Sequence, residues 1–300
     1  FMTIRRWAFA FLTLFLTTAA GARAPARDAT PRGPQRIEFP SLDAPDGQAV
    51  MLPAWWFRAP TGGAPSRAPA PVVVMLHGCG GMLNRNGEPA ERYRDYAALL
   101  NAQGWDAIAV DSLSPRGETE LCTQREGTRK VTQIQRRRDA LGALEWLASQ
   151  PGVDASRLAL LGWSNGGSTV LSATNLNHSE VARSRTRPRY AAAFYPGCET
   201  EGRRGYRPVS DTLLLVGLAD DWTPSTPCQA LASVKGGYAV RVEAFEGAHH
   251  GFDGRAALTL RRDVPNGVNP GQGVHVGADA QAREQSRQIL IQALQQAFTR

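Results

Sequence analysis

The sequence predicts an α/β fold with a mostly parallel central sheet and helices on both faces. Segments of strand character alternate with segments of helical periodicity along most of the chain, which is typical of parallel sheets built from strand–helix–strand units. Some strand segments, such as residues 72–76, are continuous apolar runs of the kind found in strands buried on both faces. No internal repeat is visible, so we expect residues 37–300 to form one domain.

The first two predicted strands, residues 37–39 and 50–57, are joined by an Ala-Pro-Asp-Gly turn at residues 44–47. A connection rich in Pro and Gly then leads to the strand at residues 72–76. The remaining predicted strands are residues 107–110, 157–162, 191–195, 212–216 and 240–245. Residues 256–277 are rich in Gly and polar residues and are expected to form a flap or a long connection.

The helices are predicted from apolar residues that recur every three or four positions. This pattern is strong in residues 130–149, where the apolar positions are Val131, Ile134, Leu141, Leu144 and Leu147. It is also present in the closing helix, residues 280–298, through Ile291, Leu294 and Phe298. The other predicted helices are residues 90–102, 165–174 and 227–234.

The composition is that of a globular protein. Of 300 residues, 42% are hydrophobic and 20% are charged, which excludes a disordered or fibrous chain. The net charge is +7, and all basic residues except Lys130 and Lys235 are Arg. Arg is spread along the whole chain, and its densest group, residues 136–138, lies in a predicted helix. We therefore interpret the basic residues as solvated side chains and predict no nucleic-acid partner.

The N-terminal residues 1–22 are predicted to be a signal peptide. Arg5 and Arg6 precede an apolar, uncharged stretch that ends in Ala20-Gly21-Ala22, and we expect cleavage after Ala22. Residues 23–36, rich in Pro, Ala and Arg, are expected to form a linker. No later apolar run approaches the ~18–20 residues that span a bilayer, so we expect no stable membrane insertion after signal removal. The predicted location is the periplasm or the medium.

The most informative segment is Gly162-Trp163-Ser164-Asn165-Gly166-Gly167. It follows an apolar strand and precedes a helical stretch, which is the context of a G-x-S-x-G nucleophile elbow. In such a turn the residues two before and two after the Ser approach each other, so Gly162 and Gly166 avoid a clash. The predicted nucleophile, Ser164, would lie at the C-terminal edge of the sheet and at a helix N-terminus. The alternative is an ordinary Gly-rich turn.

A Ser nucleophile needs a base and an orienting acid, which follow in the order Asp, His in this kind of fold. Asp220 comes just after the strand at residues 212–216 and is the preferred acid, with Asp221 as a close second. His250 is the predicted base, and His249 is taken as a loop residue. A metal site formed by His249, His250 and Asp253 is not predicted, because without a helix this spacing does not make the ligands converge.

The predicted oxyanion hole uses the loop after the strand at residues 72–76. In His77-Gly78-Cys79-Gly80-Gly81 the glycines allow backbone N–H groups to point into the site, and the donors are assigned to the amides of Cys79 and Asn165. The side chain of His77 is expected to be a structural anchor.

Other residues near these motifs are candidates for the substrate pocket. Trp163 and Trp222 flank the predicted nucleophile and acid, and they would either wall the pocket or pack in the core. Arg116, Arg125 and Arg129 follow a predicted strand and could meet an anionic substrate, or they could be ordinary surface residues.

Taken together, these segments resemble the dienelactone hydrolase family of α/β-hydrolases, in its exported, serine-bearing branch. The resemblance covers roughly residues 37–298 and implies the α/β-hydrolase fold, a triad of Ser164, Asp220 and His250, and no cofactor or metal. The founding dienelactone hydrolases have Cys where this chain has Ser164. This difference points away from dienelactone as the substrate, but hydrolysis of an ester bond is still the expected reaction. The matching motifs are Leu76-His77-Gly78-Cys79-Gly80-Gly81, Asp111-Ser112, Pro115-Arg116-Gly117, Gly162-Trp163-Ser164-Asn165-Gly166-Gly167, Tyr195-Pro196-Gly197-Cys198, Asp220-Asp221-Trp222-Thr223-Pro224 and His249-His250-Gly251-Phe252.

The four Cys residues are an even number, which in an exported protein predicts disulfides, and no CxxC spacing supports a metal site. Cys79 and Cys122 follow neighbouring strands of the predicted sheet, as do Cys198 and Cys228. The pairs Cys79–Cys122 and Cys198–Cys228 are one of three possible connectivities.

The expected function is that of an exported serine hydrolase. It would cleave a small-molecule carboxylic ester or lactone through an acyl-enzyme. The competing hypotheses are a peptidase or acyltransferase on the same fold and a non-catalytic binding module that kept the fold.

Overall fold

The computed structural model describes Phe1 and residues 33–60, 68–234 and 236–299. The predicted signal peptide, apart from Phe1, and most of the predicted linker lie outside the described residues. The linker prediction is wrong at its end, because the first strand begins at Gln35 rather than after residue 36. Among the described residues, no helix has both the length and the apolar composition needed to cross a bilayer.

Eight strands form one sheet. In chain order they are β1 (Gln35–Pro40), β2 (Met51–Phe57), β3 (Ala70–Leu76), β4 (Asp106–Val110), β5 (Val153–Trp163), β6 (Tyr190–Phe194), β7 (Asp211–Gly217) and β8 (Val240–Phe245). Across the sheet the order is β1-β2-β4-β3-β5-β6-β7-β8. Strand β2 pairs antiparallel with β1 and β4, and every other pairing is parallel. The predicted mostly parallel sheet is therefore confirmed.

Seven helices accompany the sheet in the described part of the chain. They are α1 (Glu91–Asn101), α2 (Gln133–Ala148), α3 (Asn165–Thr174), α4 (Ser179–Arg183), α5 (Glu199–Arg203), α6 (Ser225–Leu231) and α7 (Ala280–Thr299). Helix α2 begins later than predicted because Thr132 and Gln135 form a capping box that fixes its first turn. The short helices α4 and α5 were not predicted, since five residues are too few to show a helical period.

The core lies on both faces of the sheet. All seven residues of β3 are buried. Val73 and Met75 pack on the side of α1 and α7, while Val72, Val74 and Leu76 pack on the side of α2 and α3. Because both faces of β3 are covered, its sequence is a continuous apolar run instead of an alternating one. Burial of each Val or Leu side chain contributes about 1.5–3 kcal/mol.

The predicted flap or connection at residues 256–277 contains a small hairpin. Its strands are β9 (Thr259–Arg261) and β10 (Val274–Val276), which pair antiparallel. Val276 also forms a parallel bridge with His250, and the amide of Gly277 donates to the carbonyl oxygen of His250 at 3.0 Å. The hairpin is thereby joined to the loop that follows β8.

Candidate active site

Ser164 occupies a sharp turn between β5 and α3. Its backbone has φ 53° and ψ −118°, a conformation that non-glycine residues rarely adopt. A Cβ on Gly162 would lie 2.2 Å from the carbonyl oxygen of Gly166, and a Cβ on Gly166 would lie 2.0 Å from that of Leu76 in β3. Both positions therefore require glycine. The close approach holds Ser164 at the C-terminal edge of the sheet, between the ends of β3 and β6.

The structure brings the three predicted catalytic side chains together. The Oγ atom of Ser164 lies 2.8 Å from Nε2 of His250, and Nδ1 of His250 lies 2.8 Å from Oδ2 of Asp220. With its hydrogen on Nδ1, His250 donates to the carboxylate, and Nε2 accepts the hydrogen bond from the hydroxyl. The three groups form a continuous chain although 86 residues separate Ser164 from His250.

The carboxylate of Asp220 is held in a tight turn. Its Oδ1 accepts hydrogen bonds from the amides of Trp222 and Thr223 at 2.8 and 2.9 Å, and its Oδ2 lies 3.0 Å from Oγ1 of Thr223. Burial alone would favour the neutral acid. The imidazole of His250 and the two amides favour the carboxylate more strongly, so the pKa of Asp220 is lowered. The acid is therefore ionised at neutral pH.

The neighbouring Asp221 has a different partner. Its Oδ2 lies 2.7 Å from Nδ1 of His275, and its Oδ1 accepts from the backbone amide of His275 at 2.8 Å. The structure thus places Asp220, rather than Asp221, on His250. The sequence favours Asp220 without excluding Asp221, because adjacent residues in a turn point in different directions that the local sequence does not reveal.

The ring of His250 packs against two aromatic rings, and the residue is only 3% exposed. Its centroid lies 4.5 Å from that of Tyr195 and 4.6 Å from that of Trp222. Tyr195 follows β6 and has φ 36°, a second strained non-glycine residue beside the site. These contacts restrict the imidazole to the plane in which it reaches both Ser164 and Asp220.

A buried carboxylate behind this group connects three segments of the site. Asp253 accepts hydrogen bonds from Nε1 of Trp163 at 2.9 Å, from the hydroxyl of Tyr195 at 2.5 Å and from Nη2 of Arg92 at 3.2 Å. Of the two roles that the sequence left open for Trp163, the structure shows packing in the core and not a place in the pocket wall, because its side chain is fully buried. Burial also raises the pKa of Tyr195 well above its ordinary value, so its hydroxyl remains a donor.

The two predicted oxyanion donors lie beside Ser164. Cys79 and Asn165 line the same cavity as Ser164. Cys79 belongs to the loop after β3, whereas Asn165 directly follows Ser164 in the sequence. Asn165 is the first residue of α3, where backbone N–H groups have no partner within the helix. Gly78 approaches the elbow closely, since a Cβ there would lie 3.7 Å from Cβ of Ser164.

Arg136 of α2 lies under these two segments and was not identified from the sequence. Its guanidinium donates through Nη1 to Oδ1 of Asn165 and through Nη2 to the carbonyl oxygen of His77 at 2.6 Å. One side chain therefore holds both segments that supply the predicted donors. Burial lowers the pKa of Arg136 to about 10, and the nearby carboxylate of Asp139 opposes this effect. The guanidinium remains charged at neutral pH.

The interpretation of residues 136–138 as solvated is wrong. Arg136 is 1% exposed and Arg137 is 7% exposed. Arg137 and Arg138 both form ion pairs at 2.7 Å with Glu180 of α4. Composition does not distinguish buried from solvated arginine. Helical spacing does indicate that Arg136 is buried, since it lies four and eight residues before the buried Ala140 and Leu144.

His77 is an internal anchor, as expected. It is fully buried, and burial together with the charge of Arg136 lowers its pKa well below the ordinary value. The ring is therefore neutral. Its Nδ1 lies 2.7 Å from the carbonyl oxygen of Gly78, and its Nε2 accepts from the amide of Ser112 at 3.2 Å.

A cavity of about 520 Å³ opens beside Ser164. Trp222 lines it, as one of its two predicted roles requires, and so does Arg129. Burial lowers the pKa of the Arg129 guanidinium, and the neighbouring Glu126 partly offsets that effect. Arg116 has a structural role instead, because it forms ion pairs with Asp43 and Asp139 at 2.9 and 2.8 Å. Arg125 is exposed and does not line the cavity.

Two disulfides lie close to the site, Cys79–Cys122 and Cys198–Cys228. The first joins the predicted oxyanion loop to the segment after β4, and the second joins the segment after β6 to α6. Both pairs are those proposed from the predicted sheet. They indicate an oxidising compartment.

Comparison with known proteins places the chain in a family. The family model described as the dienelactone hydrolase family matches residues 58–298. A search among curated protein sequences found no significant match.

Solved structures of 17–19% identity share the fold. Esterase 2 of Thermogutta terrifontis has a TM-score of 0.57 at 17% identity, over 88% of this chain and 94% of that one. A protein of Klebsiella pneumoniae assigned as a dienelactone hydrolase has a TM-score of 0.60 at 19% identity, over 88% of this chain and 100% of that one. Dipeptidyl peptidase 4 of Porphyromonas gingivalis has a TM-score of 0.53 at 19% identity, over 74% of this chain and 33% of that one. Because the family model matches most of the chain, this protein is a hydrolase acting on ester bonds and belongs to the dienelactone hydrolase family.

Proposed function

We propose that this protein is a serine hydrolase that cleaves a small carboxylic ester or lactone through an acyl-enzyme. The observation that carries the proposal is the continuous hydrogen-bond chain from Ser164 through His250 to Asp220, at the edge of the 520 Å³ cavity. A Ser hydroxyl is a weak nucleophile at neutral pH, and an adjacent base makes it competent. The base here is oriented by an ionised acid, as such catalysis requires.

In the acylation step, Oγ of Ser164 attacks the carbonyl carbon of the substrate, and the hydroxyl proton passes to Nε2 of His250. The imidazolium that forms is stabilised by the carboxylate of Asp220, 2.8 Å from Nδ1. When the tetrahedral intermediate collapses, the bond to the alcohol oxygen breaks. His250 then returns the proton to that oxygen, and the acyl group remains on Ser164.

The negative charge on the carbonyl oxygen of the intermediate is held by the backbone amides of Cys79 and Asn165. Each such donor lowers the barrier by about 2.7–4 kcal/mol in enzymes of this type. The N-terminus of α3 adds a favourable dipole at the same point. Arg136 supports both donors from below without lining the cavity.

Deacylation repeats the same proton movements with water. His250 accepts a proton from a water molecule as its oxygen attacks the acyl carbon, and the proton then returns to Oγ of Ser164. An ester substrate yields an acid and an alcohol. A lactone yields a single hydroxy acid, because its two products are one molecule.

The cavity suits a small substrate with polar groups. Trp222 provides an apolar wall, and Arg129 provides a cation that would attract an anionic group of the substrate. An ester with a carboxylate in its acyl part is therefore expected to react with a lower KM than the matched neutral ester, and Arg129→Gln should remove that difference.

An organophosphate probe tests the nucleophile directly. Esterase 2 of Thermogutta terrifontis is phosphorylated by paraoxon, so paraoxon is a suitable reagent for this fold. We expect intact-mass spectrometry to show one diethylphosphoryl group on the wild type and none on Ser164→Ala, which should also lose hydrolysis of p-nitrophenyl acetate. Ser168→Ala is the matched control, because Ser168 lines the same cavity outside the hydrogen-bond chain. Labelling of Ser164→Ala would refute the assignment, and a folded wild type without label would favour a non-catalytic binding module.

Two other activities on this fold are distinguished by substrate comparison. A peptidase would cleave the p-nitroanilide of an acyl group about as readily as its p-nitrophenyl ester. An acyltransferase would transfer the acyl group to an added alcohol faster than to water. The esterase proposal expects the ester to be much the better substrate and free acid to be the main product.

We further propose that residues 1–22 direct export and are removed, that residues 23–34 link the signal to the fold, and that the chain from the start of β1 at Gln35 forms one catalytic domain in the periplasm or the medium. The two disulfides support an oxidising location. N-terminal sequencing of the exported protein should begin at Arg23. An unprocessed N-terminus on protein recovered from the cytoplasm would contradict the proposal.

A further inference from the structure

We propose that Asp221, His249 and His275 bind a divalent transition-metal ion such as Zn²⁺, at a site outside the cavity beside Ser164. Each residue offers one ligand atom, and these atoms all lie within 4.8 Å of one another. The three residues come from the loop after β7, the loop after β8 and strand β10, so only the folded chain brings them together. None of them lines the cavity, which separates this site from the proposed ester chemistry.

Two of the side chains are already positioned by hydrogen bonds. Asp221 accepts from both the backbone amide and Nδ1 of His275, at 2.8 and 2.7 Å. The ring of His249 faces that of His275 with centroids 5.4 Å apart. Nδ1 of His249 is shielded from water and has no hydrogen-bond partner among the described residues. A buried ring nitrogen without a partner is unfavourable, and coordination of a metal would satisfy it.

The ligand chemistry favours late first-row ions over Mg²⁺ and Ca²⁺. Two imidazoles and one carboxylate suit Zn²⁺, with Cu²⁺ and Ni²⁺ as alternatives of the same class, whereas Mg²⁺ and Ca²⁺ prefer oxygen ligands only. Around Zn²⁺ the ligand atoms would be about 3.3 Å apart, so atoms that now lie up to 4.8 Å apart would close by at most about 1.5 Å. The side chains of His275 and Asp221 are 44% and 31% exposed, which leaves the ion a path from solvent. Three protein ligands leave a fourth position for water.

The expected effect of the ion is to fix the loops that carry the proposed acid and base. Asp221 follows Asp220 and His249 precedes His250 in the sequence, and His275 precedes Val276, which bridges to His250. A metal bound here would therefore cross-link both loops and the β9–β10 hairpin. Binding to the folded state alone raises the unfolding temperature.

The test uses the full, disulfide-bonded exported protein without an affinity tag, after treatment with a chelator. Titration calorimetry should show one Zn²⁺ per chain, and thermal unfolding should shift upward with ZnCl₂ but not with MgCl₂. His249→Ala and His275→Ala should each weaken Zn²⁺ binding at least about tenfold. Asp263→Asn is the matched control, since Asp263 is an exposed carboxylate in the loop of the same hairpin that pairs with Arg261.

If an alanine variant lacks the circular dichroism of the wild type, His249→Gln and Asp221→Asn take its place, because they keep the size of the side chain. Failure of the wild type to bind Zn²⁺, equal stabilisation by Mg²⁺, or wild-type affinity in the His249 and His275 variants would each overturn the proposal. Loss of binding in Asp263→Asn to the same extent would also overturn it.

Discussion

Replacement of Arg136 by Met tests whether a residue that does not line the cavity positions the proposed oxyanion hole. The guanidinium is 1% exposed and donates to the side chain of Asn165 and to the carbonyl oxygen of His77. Met keeps most of the apolar volume and removes both hydrogen bonds. The amides of Cys79 and Asn165 would then be held less firmly at the point where negative charge develops in the transition state.

The magnitude follows from two opposing effects on stability. Each charge-assisted hydrogen bond contributes about 1.5–3 kcal/mol, so two contribute roughly 3–6 kcal/mol. Burial lowers the pKa of Arg136 to about 10, which corresponds to an unfavourable term on the order of 3 kcal/mol below pH 10. A group whose pKa is lower in the folded state binds its proton less tightly there. Because Arg136 is protonated in both the folded and the unfolded state from pH 5 to 9, this term is constant over that range. We therefore expect Arg136→Met to lower the free energy of unfolding by no more than about 3 kcal/mol.

The effect on catalysis should be larger than that on stability. Loss of one oxyanion donor lowers kcat by roughly 10²–10³-fold, and a displaced donor should cost about 10–100-fold. Because these donors act on the transition state, KM should change little. The assay is steady-state hydrolysis of p-nitrophenyl esters, with urea unfolding in parallel.

Arg137→Met is the matched control for this experiment. Arg137 is also buried in α2, but it contacts Glu180 and Ser172, away from the cavity. The Arg137→Met variant should have a lower free energy of unfolding without a comparable loss of kcat. Wild-type kcat in Arg136→Met, or an equal loss of kcat in both variants, would refute the reasoning.

The remaining predictions concern the acid, the disulfides and the elbow. Asp220→Asn should lower kcat by roughly 10³–10⁴-fold, whereas Asp221→Asn should keep most activity, because only Asp220 contacts His250; comparable losses would contradict the assignment of the acid. Because the pKa of Asp220 is lowered on folding, its ionisation stabilises the protein above about pH 4, and that contribution is lost as pH falls through the folded-state pKa; unfolding of Asp220→Asn measured between pH 6 and 3 should accordingly depend less on pH than that of the wild type. The Cys198→Ala and Cys228→Ala double variant should unfold about 2–4 kcal/mol more easily in denaturant, since the bridge closes a loop of 30 residues, and unchanged stability would argue against the bridge. Gly166→Ala should not give active, soluble enzyme, because the added Cβ would lie 2.0 Å from a carbonyl oxygen of β3; normal activity in this variant would show that the elbow is less crowded than described.

Much of the candidate site was predictable because its requirements are local. A Ser flanked by glycines at positions −2 and +2, after an apolar strand and before a helix, defines the backbone of the elbow whatever surrounds it. The predicted positions of Ser164, Asp220 and His250 depend on the order of strand ends, which the alternation of elements indicates. The structure brings these three side chains into contact.

The supporting residues were not predictable in the same way. Arg136 was interpreted as solvated from composition, and Trp163 was left between a pocket and a core position; both are buried. Asp253 holds Trp163, Tyr195 and Arg92 together from segments that are 58 to 161 residues away in the chain. No local pattern encodes a partner at such a distance.

The class of fold, the strained turn at Ser164 and the side chains capable of acid–base chemistry follow from the sequence, because steric limits and apolar periodicity act over a few neighbouring residues. Two features emerge only in the folded chain: Asp220 faces His250 while Asp221 faces His275, and Arg136 lies beneath the proposed oxyanion hole. Those choices depend on which buried polar groups find partners, and a buried group finds its partner only when the whole chain has packed around it.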